Sequence, residues 1–512
     1  MTENVPPIPY TLNWLDWVVL AAYAFGIAML GVFFSRRQKT TEHYFTASGR
    51  IPGWASGLSL FATLLSSFLF IGFPGQTYGQ NWEVLMKQFM TPLVVVFVAI
   101  LIIPVFRSYI KVSVYEYLEQ RFGYGARVYG TLAFLAEHFF KMGVVLSAMS
   151  LAIYTITGWN QDALIIGLGV LTITYTFFGG IEGVIWTDVV QGLLMLAASF
   201  FVIIFILFFA SNDGAGAILN AAIEDDKFKL IDPEFDMRKR TVYVIAWMGI
   251  FHFMLRYTTD QTMVQRYMTA PSLHEARKSA LVSVVACMIA FCTFSLIGTL
   301  LYGFYKLNPD RLGASVEKAD QVFPWFVGHE IPGGFTGIIL TGLLAASMST
   351  LSSEFNSFSA CLTTDFYERL IGTLDNRRRL LLSKCIVLGA GICAIVLSLV
   401  LSRYAAGLME LVLEAWATIG AVLGGGILAT FFLGIFCPSA NKRGLYPALV
   451  VGFVLTLWCY ATAYEWVILP ERLMLLKYSW HTWWLIGFSN VFVFLLGYVL
   501  SRMFPDKTDI GV

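Results

Sequence analysis

Thirteen apolar stretches, each long enough to cross a lipid bilayer, run through this sequence of 512 residues. A transmembrane helix needs about 20 predominantly apolar residues. Hydrophobic residues make up 57% of the chain and charged residues 13%, whereas soluble domains contain roughly 45–50% and about 25%. We therefore predict an all-α integral membrane protein with 13 transmembrane helices. The predicted spans lie at about 12–34, 53–79, 84–106, 128–157, 162–180, 184–210, 241–261, 279–305, 335–362, 385–402, 408–436, 445–466 and 480–501.

The distribution of basic residues among the loops predicts the orientation of these helices in the membrane. If the N-terminus is outside, the inward loops hold 20 lysines and arginines, Arg266 among them, and the outward loops hold 12. Cytoplasmic loops carry the excess of basic residues in membrane proteins. The sequence therefore predicts an outer N-terminus, an inner C-terminus and a multi-pass protein of the cell membrane, the inner membrane of a bacterium.

Charge and motifs exclude several other classes of protein. The 34 basic and 33 acidic residues leave a net charge of +1, which gives no general attraction to nucleic acid. No HExxH, GxSxG or Walker sequence is placed to act, and no CxxC pair occurs. We predict that the protein is not an enzyme. Its expected partners are the lipid bilayer and a small-molecule substrate, with no nucleic acid and no obligate protein partner.

Spans two to six and seven to eleven form two groups of five. Because five is odd, the second group begins on the opposite side of the membrane, as in an inverted-topology repeat whose first helices break near the midplane. Hydroxyl residues followed by Gly72-Phe-Pro74-Gly75 suit such a break in the first group, and small-residue helix packing is the alternative. The predicted divisions are an extra helix and cytoplasmic loop at 1–52, the first repeat at 53–210, an extracellular loop at 211–240, the second repeat at 241–436, and two C-terminal helices with a tail at 437–512.

Five hydroxyl residues occupy seven positions of the span at 335–362. They are Ser347, Ser349, Thr350, Ser352 and Ser353. Positions 349, 352 and 353 share one helix face. A dehydrated alkali cation needs about five or six oxygen ligands, which hydroxyls and freed backbone carbonyls supply. Helix packing needs only one or two serines, so the cluster predicts a cation site.

Asp188 and Arg256 are charged residues inside predicted spans. A carboxylate within the membrane costs a few kcal/mol unless it is paired or binds an ion. Asp188 is therefore interpreted as an ion ligand, with a structural salt bridge as the alternative. Arg256 lies where the lead helix of the second repeat is expected to break, and snorkelling to the cytoplasmic end is its alternative.

Lys141 lies in mid-span, one helical turn after Glu137. The two residues suit a buried ion pair between positions i and i+4. The alternative is that Lys141 faces an acidic or polyhydroxylated substrate. His138 and His252 are interpreted as packed or hydrogen-bonded residues rather than proton relays.

Several segments together resemble the sodium/solute symporter family, which includes sodium–sugar and sodium–sialic acid cotransporters. The resemblance runs from about residue 12 to 500 and implies a leucine-transporter-like core formed by spans two to eleven. The matching segments are Gly53-Trp54-Ala55 through Leu65-Ser66-Ser67, Gly179-Gly180-Ile-Glu-Gly183-Val-Ile-Trp186-Thr187-Asp188-Val-Val-Gln191, Thr259-Asp260-Gln261 with Gln265-Arg266, and Ala346-Ser-Met-Ser349-Thr350-Leu-Ser352.

The resemblance implies one or two sodium sites. In the family, a common site takes carbonyls from the first core helix and hydroxyls from the eighth, and some members hold a second sodium with a carboxylate and serines. The residues that match the common site are Ala62, Leu65, Ala346, Ser349 and Thr350. Those that match the second site are Asp188, Ser349, Ser352 and Ser353.

The resemblance also implies a substrate site at Thr63, Ser66, Gln88, Lys141 and Arg256. Lys141 stands where sialic acid transporters place an arginine that clamps the carboxylate, and lysine lacks the bidentate fork. Leu64 and Leu69 replace hydroxyl residues, which argues against sialic acid binding of the same kind. Ala417 replaces a sugar-contacting glutamine of hexose carriers, which argues against plain glucose. Arg256 replaces an aromatic gate residue, and two cations near one pocket favour an anionic substrate such as a sugar acid.

We therefore predict sodium-coupled symport of a small polar organic solute, a sugar or sugar acid, by alternating access. The alternatives are a proton-coupled carrier that uses Asp188 and a sodium symporter for an amino acid or a monocarboxylate. A channel would need a polar lining over several spans. A membrane-embedded enzyme would need His, Asp or Glu residues that converge at one depth, and the sequence shows neither pattern.

Overall fold

Helices account for the architecture of this chain. The computed structural model describes residues 12–36, 38, 40–210, 214–231, 234–314, 316–372, 374–403, 420–467, 473 and 476–505, and no β-strand occurs within these ranges. Nine helices among the described residues are long and apolar enough to cross a membrane. The prediction of an all-α membrane protein is confirmed. The count of 13 spans and the orientation of the termini stay predictions.

The N-terminal part of the chain contains eight helices. They are α1 (Trp14–Ser35), α2 (Thr41–Thr46), α3 (Gly53–Leu64), α4 (Ser67–Gly79), α5 (Met86–Tyr109), α6 (Glu116–Phe122), α7 (Tyr124–Thr157) and α8 (Gln161–Phe208). The predicted span at 53–79 is thus two short helices, and the spans at 162–180 and 184–210 belong to one helix. These two departures explain part of the difference between 13 predicted and nine observed long helices.

Ten further helices are described in the rest of the chain. They are α9 (Gly214–Glu224), α10 (Val242–Thr259), α11 (Gln261–Met268), α12 (Leu273–Leu307), α13 (Ala319–His329), α14 (Phe335–Leu370), α15 (Asn376–Arg403), α16 (Ile427–Phe436), α17 (Lys442–Ala463) and α18 (Thr482–Met503). The predicted span at 408–436 lies partly outside the described residues. Its described part is interrupted by a turn at 425–426, ahead of α16.

A single glycine separates the two predicted spans within α8. Gly180 has φ +56° and ψ −163°, a conformation that is accessible almost only to glycine. A Cβ atom at this position would lie 2.8 Å from Cδ2 of Tyr44. The neighbouring Gly179 carbonyl accepts a hydrogen bond of 2.9 Å from Nε2 of Gln38, so this carbonyl is satisfied at the break.

Replacing Gly180 by alanine should destabilise the protein by about 1–3 kcal/mol, because alanine is strained at this φ and ψ and meets Tyr44. The measurement is the melting temperature of the purified protein. Gly167→Ala is the matched control, because Gly167 lies in the same helix with no heavy atom within 4 Å of its would-be Cβ. Equal melting temperatures for the two variants would contradict the prediction.

The lead helices of the two predicted repeats are both broken. Between α3 and α4, Leu65 (φ −90°, ψ 103°) and Ser66 (φ −94°, ψ 167°) are extended. Between α10 and α11, Asp260 is extended with φ −83° and ψ 119°. The corresponding breaks support the predicted inverted repeat, because each removes helical hydrogen bonds at the same place in its group of helices.

The position of the first break differs from the predicted one. The Gly72–Gly75 segment lies inside α4, and the chain unwinds at Leu65 instead. A Cβ atom on Gly75 would lie 2.7 Å from Cα of Asp320 in α13. Small residues therefore serve close packing between α4 and α13, which was the alternative interpretation of this segment.

Helix α14 lies at the centre of the bundle and packs against α1, α3, α7, α8 and α15. Its N-terminal end is fixed by Asp16 of α1, whose Oδ1 accepts backbone N–H bonds from Gly334 (2.9 Å) and Gly337 (2.6 Å). A carboxylate satisfies the free N–H groups of a helix N-terminus and its dipole. The hydroxyl cluster of α14 is therefore held in the protein interior, and all five of its residues have no exposed surface.

Candidate functional site

The hydroxyls of α14 face the carbonyls freed by the break after α3. Ser349 Oγ lies within hydrogen-bonding distance of two carbonyl oxygens, that of Ala62 (2.9 Å) and that of Ala346 (3.1 Å). Thr350 Oγ1 lies 3.4 Å from the Thr63 carbonyl and 3.1 Å from the Ala346 carbonyl. Leu65, at the break itself, is fully buried. The structure thus brings four of the five predicted common-site groups within hydrogen-bonding distance of one another.

Thr63 connects these groups to a second polar cluster, which surrounds Asp188. Its carbonyl lies near Thr350, while its Oγ1 is 2.9 Å from Oγ of Ser353 and donates to the Ser59 carbonyl at 2.8 Å. Sequence analysis assigned Thr63 to the substrate site. In the structure its side chain contacts two serines on the side of Asp188.

Asp188 forms a buried ion pair. Its Oδ2 accepts hydrogen bonds from Arg266 Nη2 (3.0 Å) and Ser59 Oγ (2.6 Å), and Ser353 Oγ lies at 3.5 Å. Asp188 and Arg266 have no exposed surface. The placement of Arg266 in an inward loop is wrong, because this residue lies on α11 and reaches Asp188 in the interior. The structural salt bridge, which was the alternative for Asp188, is present.

The second carboxylate oxygen of Asp188, Oδ1, has a different environment from Oδ2. Oδ1 is buried and has no hydrogen-bond partner among the described residues, and an orphaned carboxylate oxygen is costly in a protein interior. Ser352 lies on the same face of α14 as Ser349 and Ser353. Its Oγ donates to the Ser349 carbonyl at 3.1 Å. The arrangement leaves one carboxylate oxygen of Asp188 available to a cation.

Lys141 pairs with a residue that sequence analysis did not single out. Its Nζ lies 2.5 Å from Oε1 of Glu354, which has no exposed surface, and His138 Nδ1 contacts the other carboxylate oxygen. The predicted pair between Lys141 and Glu137 is therefore wrong. Glu354 on α14 is the partner because α7 and α14 pack face to face at this depth. Glu354 stands inside a predicted span, so the criterion applied to Asp188 would have found it.

Arg256 is also paired. Its Nη1 lies 2.8 Å from Oδ2 of Asp260, and its Nη2 lies 2.9 Å from Oε1 of Glu137. His138 Nε2, 3.6 Å from Asp260 Oδ2, connects this group to Glu354. Snorkelling of Arg256 to the cytoplasmic end is wrong, whereas His138 is buried and hydrogen-bonded as predicted. The six side chains form one connected group, which we call the ion network: Lys141, Glu354, His138, Asp260, Arg256 and Glu137.

The ion network changes the argument about substrate charge. It contains three carboxylates, two permanent cations and one histidine. Buried charges are tolerated only when they are compensated. Lys141 and Arg256 are therefore already neutralised, and their two charges do not by themselves favour an anion. An anionic substrate has to displace a carboxylate from one of them.

A cavity of about 400 Å³ lies beside the ion network, between α7, α10 and the C-terminal helices. Glu137, Arg256 and Asp260 line it together with the aromatic residues Tyr460 and Trp483. The other predicted substrate residues are not among its lining residues. Gln88 is buried with a side-chain oxygen that has no partner among the described residues, and Ser66 lies at the break. Ala417 and the side chain of Leu69 lie outside the described part of the structure.

These features define an ion-coupled secondary transporter. The break after α3 presents backbone carbonyls to the buried hydroxyls of α14, which is the arrangement used for alkali cations in transporters with broken helices. Within the described ranges no group of three or more His, Cys, Asp or Glu residues is placed to hold a metal ion, whereas hydroxyls and carbonyls suit sodium.

Comparison with known proteins gives the family. The family model described as "Sodium:solute symporter family" matches residues 44–452. The sodium/sialic acid symporter NanT of Aliivibrio fischeri is 33% identical over 450 residues, which cover 87% of each protein. The sodium/sialic acid symporter SiaT of Proteus mirabilis is 32% identical over 453 residues, 88% of this chain and 90% of SiaT. The chain belongs to the sodium:solute symporter family: it is a multi-pass transporter that couples solute movement to sodium, and it is not an enzyme.

Solved structures agree with this assignment. A sodium-coupled sialic acid symporter in a substrate-bound outward-open state, which reveals a novel sodium site, matches with a TM-score of 0.86 at 29% identity and covers 97% of this chain and 99% of that one. The nucleobase-cation symporter Mhp1 in a closed conformation matches with a TM-score of 0.55 at 15% identity over 90% of this chain and 94% of Mhp1. At that identity the likeness to Mhp1 shows a shared fold alone. The predicted leucine-transporter-like fold agrees with both neighbours.

Proposed function

We propose that this protein carries a small acidic solute, a sugar acid of the sialic acid type, across the bacterial inner membrane together with sodium. The observation that carries the sodium part is the convergence of Ser349 and Thr350 with the Ala62 and Ala346 carbonyls at a helix break. The substrate part rests on the sialic acid symporters that match most of the chain. In this proposal 13 helices cross the membrane, with the N-terminus outside and the C-terminus inside.

The common sodium site is proposed at Ala62, Leu65, Ala346, Ser349 and Thr350. With no ion the two hydroxyls donate to nearby carbonyls, and with sodium bound they turn their lone pairs to the ion. Because these groups connect the end of α3 to α14, a bound ion draws the two helices together. This closure completes the substrate pocket, and low sodium inside the cell favours release there.

A second sodium is proposed at Asp188, Ser349, Ser352 and Ser353. Its support is the buried Asp188 Oδ1, which has no hydrogen-bond partner among the described residues. Arg266 neutralises the other oxygen of Asp188, so the site gains one net positive charge when it is filled. The solved sialic acid symporter of similar fold, whose structure reveals a novel sodium site, adds support to this proposal.

The number of ions sets the concentrating power. One charge moved inward across 100 mV supplies about 2.3 kcal/mol, and a tenfold sodium gradient adds about 1.4 kcal/mol per ion. With a singly charged acid, one sodium makes transport electroneutral and supports only about tenfold accumulation. Two sodium ions supply about 5 kcal/mol, which supports roughly 5,000-fold accumulation.

Replacing Ser352 by alanine should lower the Hill coefficient for sodium from about two toward one. Ser352→Ala removes a proposed second-site ligand and leaves the Asp188–Arg266 ion pair intact. Asp188→Asn should give the same change, with an added loss of stability because Arg266 then lacks its partner. The measurement is sodium-dependent uptake into proteoliposomes together with the ratio of current to flux. An unchanged coefficient and ratio in Ser352→Ala would contradict a second ion.

Substrate binding is proposed at Lys141, with Ser66 and Gln88 contacting the polar groups of the solute. The substrate carboxylate replaces Glu354 at Lys141, and Glu354 keeps its contact with His138. Arg256 stays paired with Glu137 and Asp260 and lines the approach from the neighbouring cavity. The carboxylate exchange selects acids, because only an anionic group can take the place of Glu354 beside the Lys141 ammonium.

Uptake into proteoliposomes tests the proposed function. We expect sodium-driven uptake of N-acetylneuraminate or a hexuronate, with weaker or no uptake of glucose, amino acids and short monocarboxylates. A preference for neutral hexoses would contradict the acidic substrate. Uptake driven by a pH gradient in the absence of sodium would instead support a proton-coupled carrier.

A further inference from the structure

A second cavity, of about 570 Å³, shares no lining residue with the cavity beside the ion network, and it lies at the end of the molecule that the basic loops place at the cytoplasm. It is enclosed by the end of α1, by α2, by the segment before α3 and by α8 just after its break. Its polar and aromatic wall is formed by Arg36, His43, Arg50, Glu182 and Trp186. We call it the basic cavity.

The charge of the basic cavity is positive. Arg36 and Arg50 are exposed, and neither has a carboxylate partner among the described residues. The carboxylate in the wall, Glu182, already binds Nε2 of His43 at 2.9 Å. His43 is oriented by Ser48 Oγ, 3.2 Å from its other ring nitrogen. Two guanidinium groups are thus available to an anion, and guanidinium groups match phosphate oxygens well.

The surface beside the basic cavity is apolar and faces the bilayer. Toward the membrane centre, Val32 and Phe33 of α1 are 45% and 56% exposed, and Val190 and Leu193 of α8 are 39% and 52% exposed. An anion held at the two arginines would therefore lie at the mouth of a lipid-facing surface formed by α1 and α8. A molecule that carries both a phosphate and acyl chains can bind both features at once, with its phosphate at the two arginines and its acyl chains on the apolar surface.

Aromatic residues place this site at the membrane interface. Trp186 packs edge to face against Trp54 of α3, with ring centroids 5.7 Å apart, and Trp54 is 42% exposed. Tryptophan is enriched at the level of lipid headgroups, and basic pockets on the cytoplasmic side of membrane helices bind anionic headgroups. We infer that the basic cavity binds the headgroup of an anionic phospholipid, with its phosphate between Arg36 and Arg50.

The site would connect a bound lipid to the ion-binding helices. Its wall includes the residues just before α3, which carries Ala62 at its other end, and Trp186, two residues before Asp188. A headgroup that bridges α1 and the start of α3 therefore holds the first half of the broken helix in place. The inference does not depend on the identity of the transported solute.

Thermal unfolding of the full-length protein in a nonionic detergent tests this inference, with phosphatidylglycerol, phosphatidylcholine or inorganic phosphate added. We expect phosphatidylglycerol to raise the melting temperature, phosphatidylcholine to have little effect, and Arg36→Gln with Arg50→Gln to weaken the apparent phosphatidylglycerol affinity by about tenfold or more. The conservative pair Arg36→Lys with Arg50→Lys, which keeps both charges, should retain most of the response.

The matched control is Arg377→Gln with Arg378→Gln, which removes two exposed arginines of the same predicted membrane side that do not line the basic cavity. This control should respond to phosphatidylglycerol like the unmodified protein. Equal weakening in both glutamine pairs would overturn the inference, since the effect would then be general charge attraction. Stabilisation by inorganic phosphate equal to that by phosphatidylglycerol would also overturn it, because the cavity would then bind a free anion.

Discussion

Replacing Thr350 by alanine should raise the sodium concentration for half-maximal uptake by about tenfold to a hundredfold. Thr350 Oγ1 lies among carbonyls at the break after α3, in a position without exposed surface. Loss of one interaction with a charged group costs about 1.5–3 kcal/mol, and water cannot replace the missing ligand in a dry site. The measurement is the sodium dependence of uptake at saturating substrate.

Thr341→Ala is the matched control for this prediction. Thr341 is a buried threonine of the same helix, and its Oγ1 donates to the Gly337 carbonyl of its own helix. Its replacement should leave the sodium dependence unchanged. Sodium activation of Thr350→Ala equal to that of the unmodified protein would contradict the proposed common site.

Removing Lys141 alone should destabilise the protein by about 3–5 kcal/mol, because Glu354 would then be left as a buried carboxylate with only His138 beside it. Lys141→Met should therefore melt at a markedly lower temperature and lose uptake of acidic substrates. Replacing both partners, with Lys141→Met and Glu354→Gln, should restore most of the stability but not the uptake. This separation distinguishes a role in substrate binding from a role in folding alone.

A surface ion pair provides the control for the single replacement Lys141→Met. Lys306 Nζ lies 2.6 Å from Oδ2 of Asp225, and both side chains are more than one-third exposed. Such pairs are worth at most about 1 kcal/mol, so Lys306→Met should leave the melting temperature nearly unchanged. If Lys141→Met were as stable as Lys306→Met, Lys141 and Glu354 would not form a buried pair.

Much of the fold was predictable because the membrane restricts the chain to helices of a certain length. The apolar runs predicted the helices, and the odd number of spans in each group predicted corresponding breaks in the two lead helices. The exact place of the first break was not predictable from Gly72 and Pro74. Proline is tolerated within α4, and the small residues beside it are needed for contact with α13, which no local pattern reveals.

The candidate ion site was predictable for a similar reason. Hydroxyls at Ser349, Thr350 and Ser353 are costly inside a membrane without partners, so their clustering pointed to a function before any contact was known. The partners of the charged residues were not predictable. Local spacing suggested Glu137 for Lys141, but side chains on α14 and α10 compete for the same charges once the helices pack.

The sequence by itself determined that this protein is a helical membrane transporter with a cluster of hydroxyl residues in one of its spans. The hydropathy of a segment and the high free-energy cost of polar groups within it depend on that segment alone. Both can therefore be assessed from the sequence without knowing which helices pack beside it. Only the tertiary structure decided that Asp188 meets Arg266, that Glu354 holds Lys141, and that both predicted substrate cations are already neutralised. Except for the pair between Arg256 and Asp260, these pairings join residues more than 70 positions apart. Their geometry therefore depends on how whole helices pack.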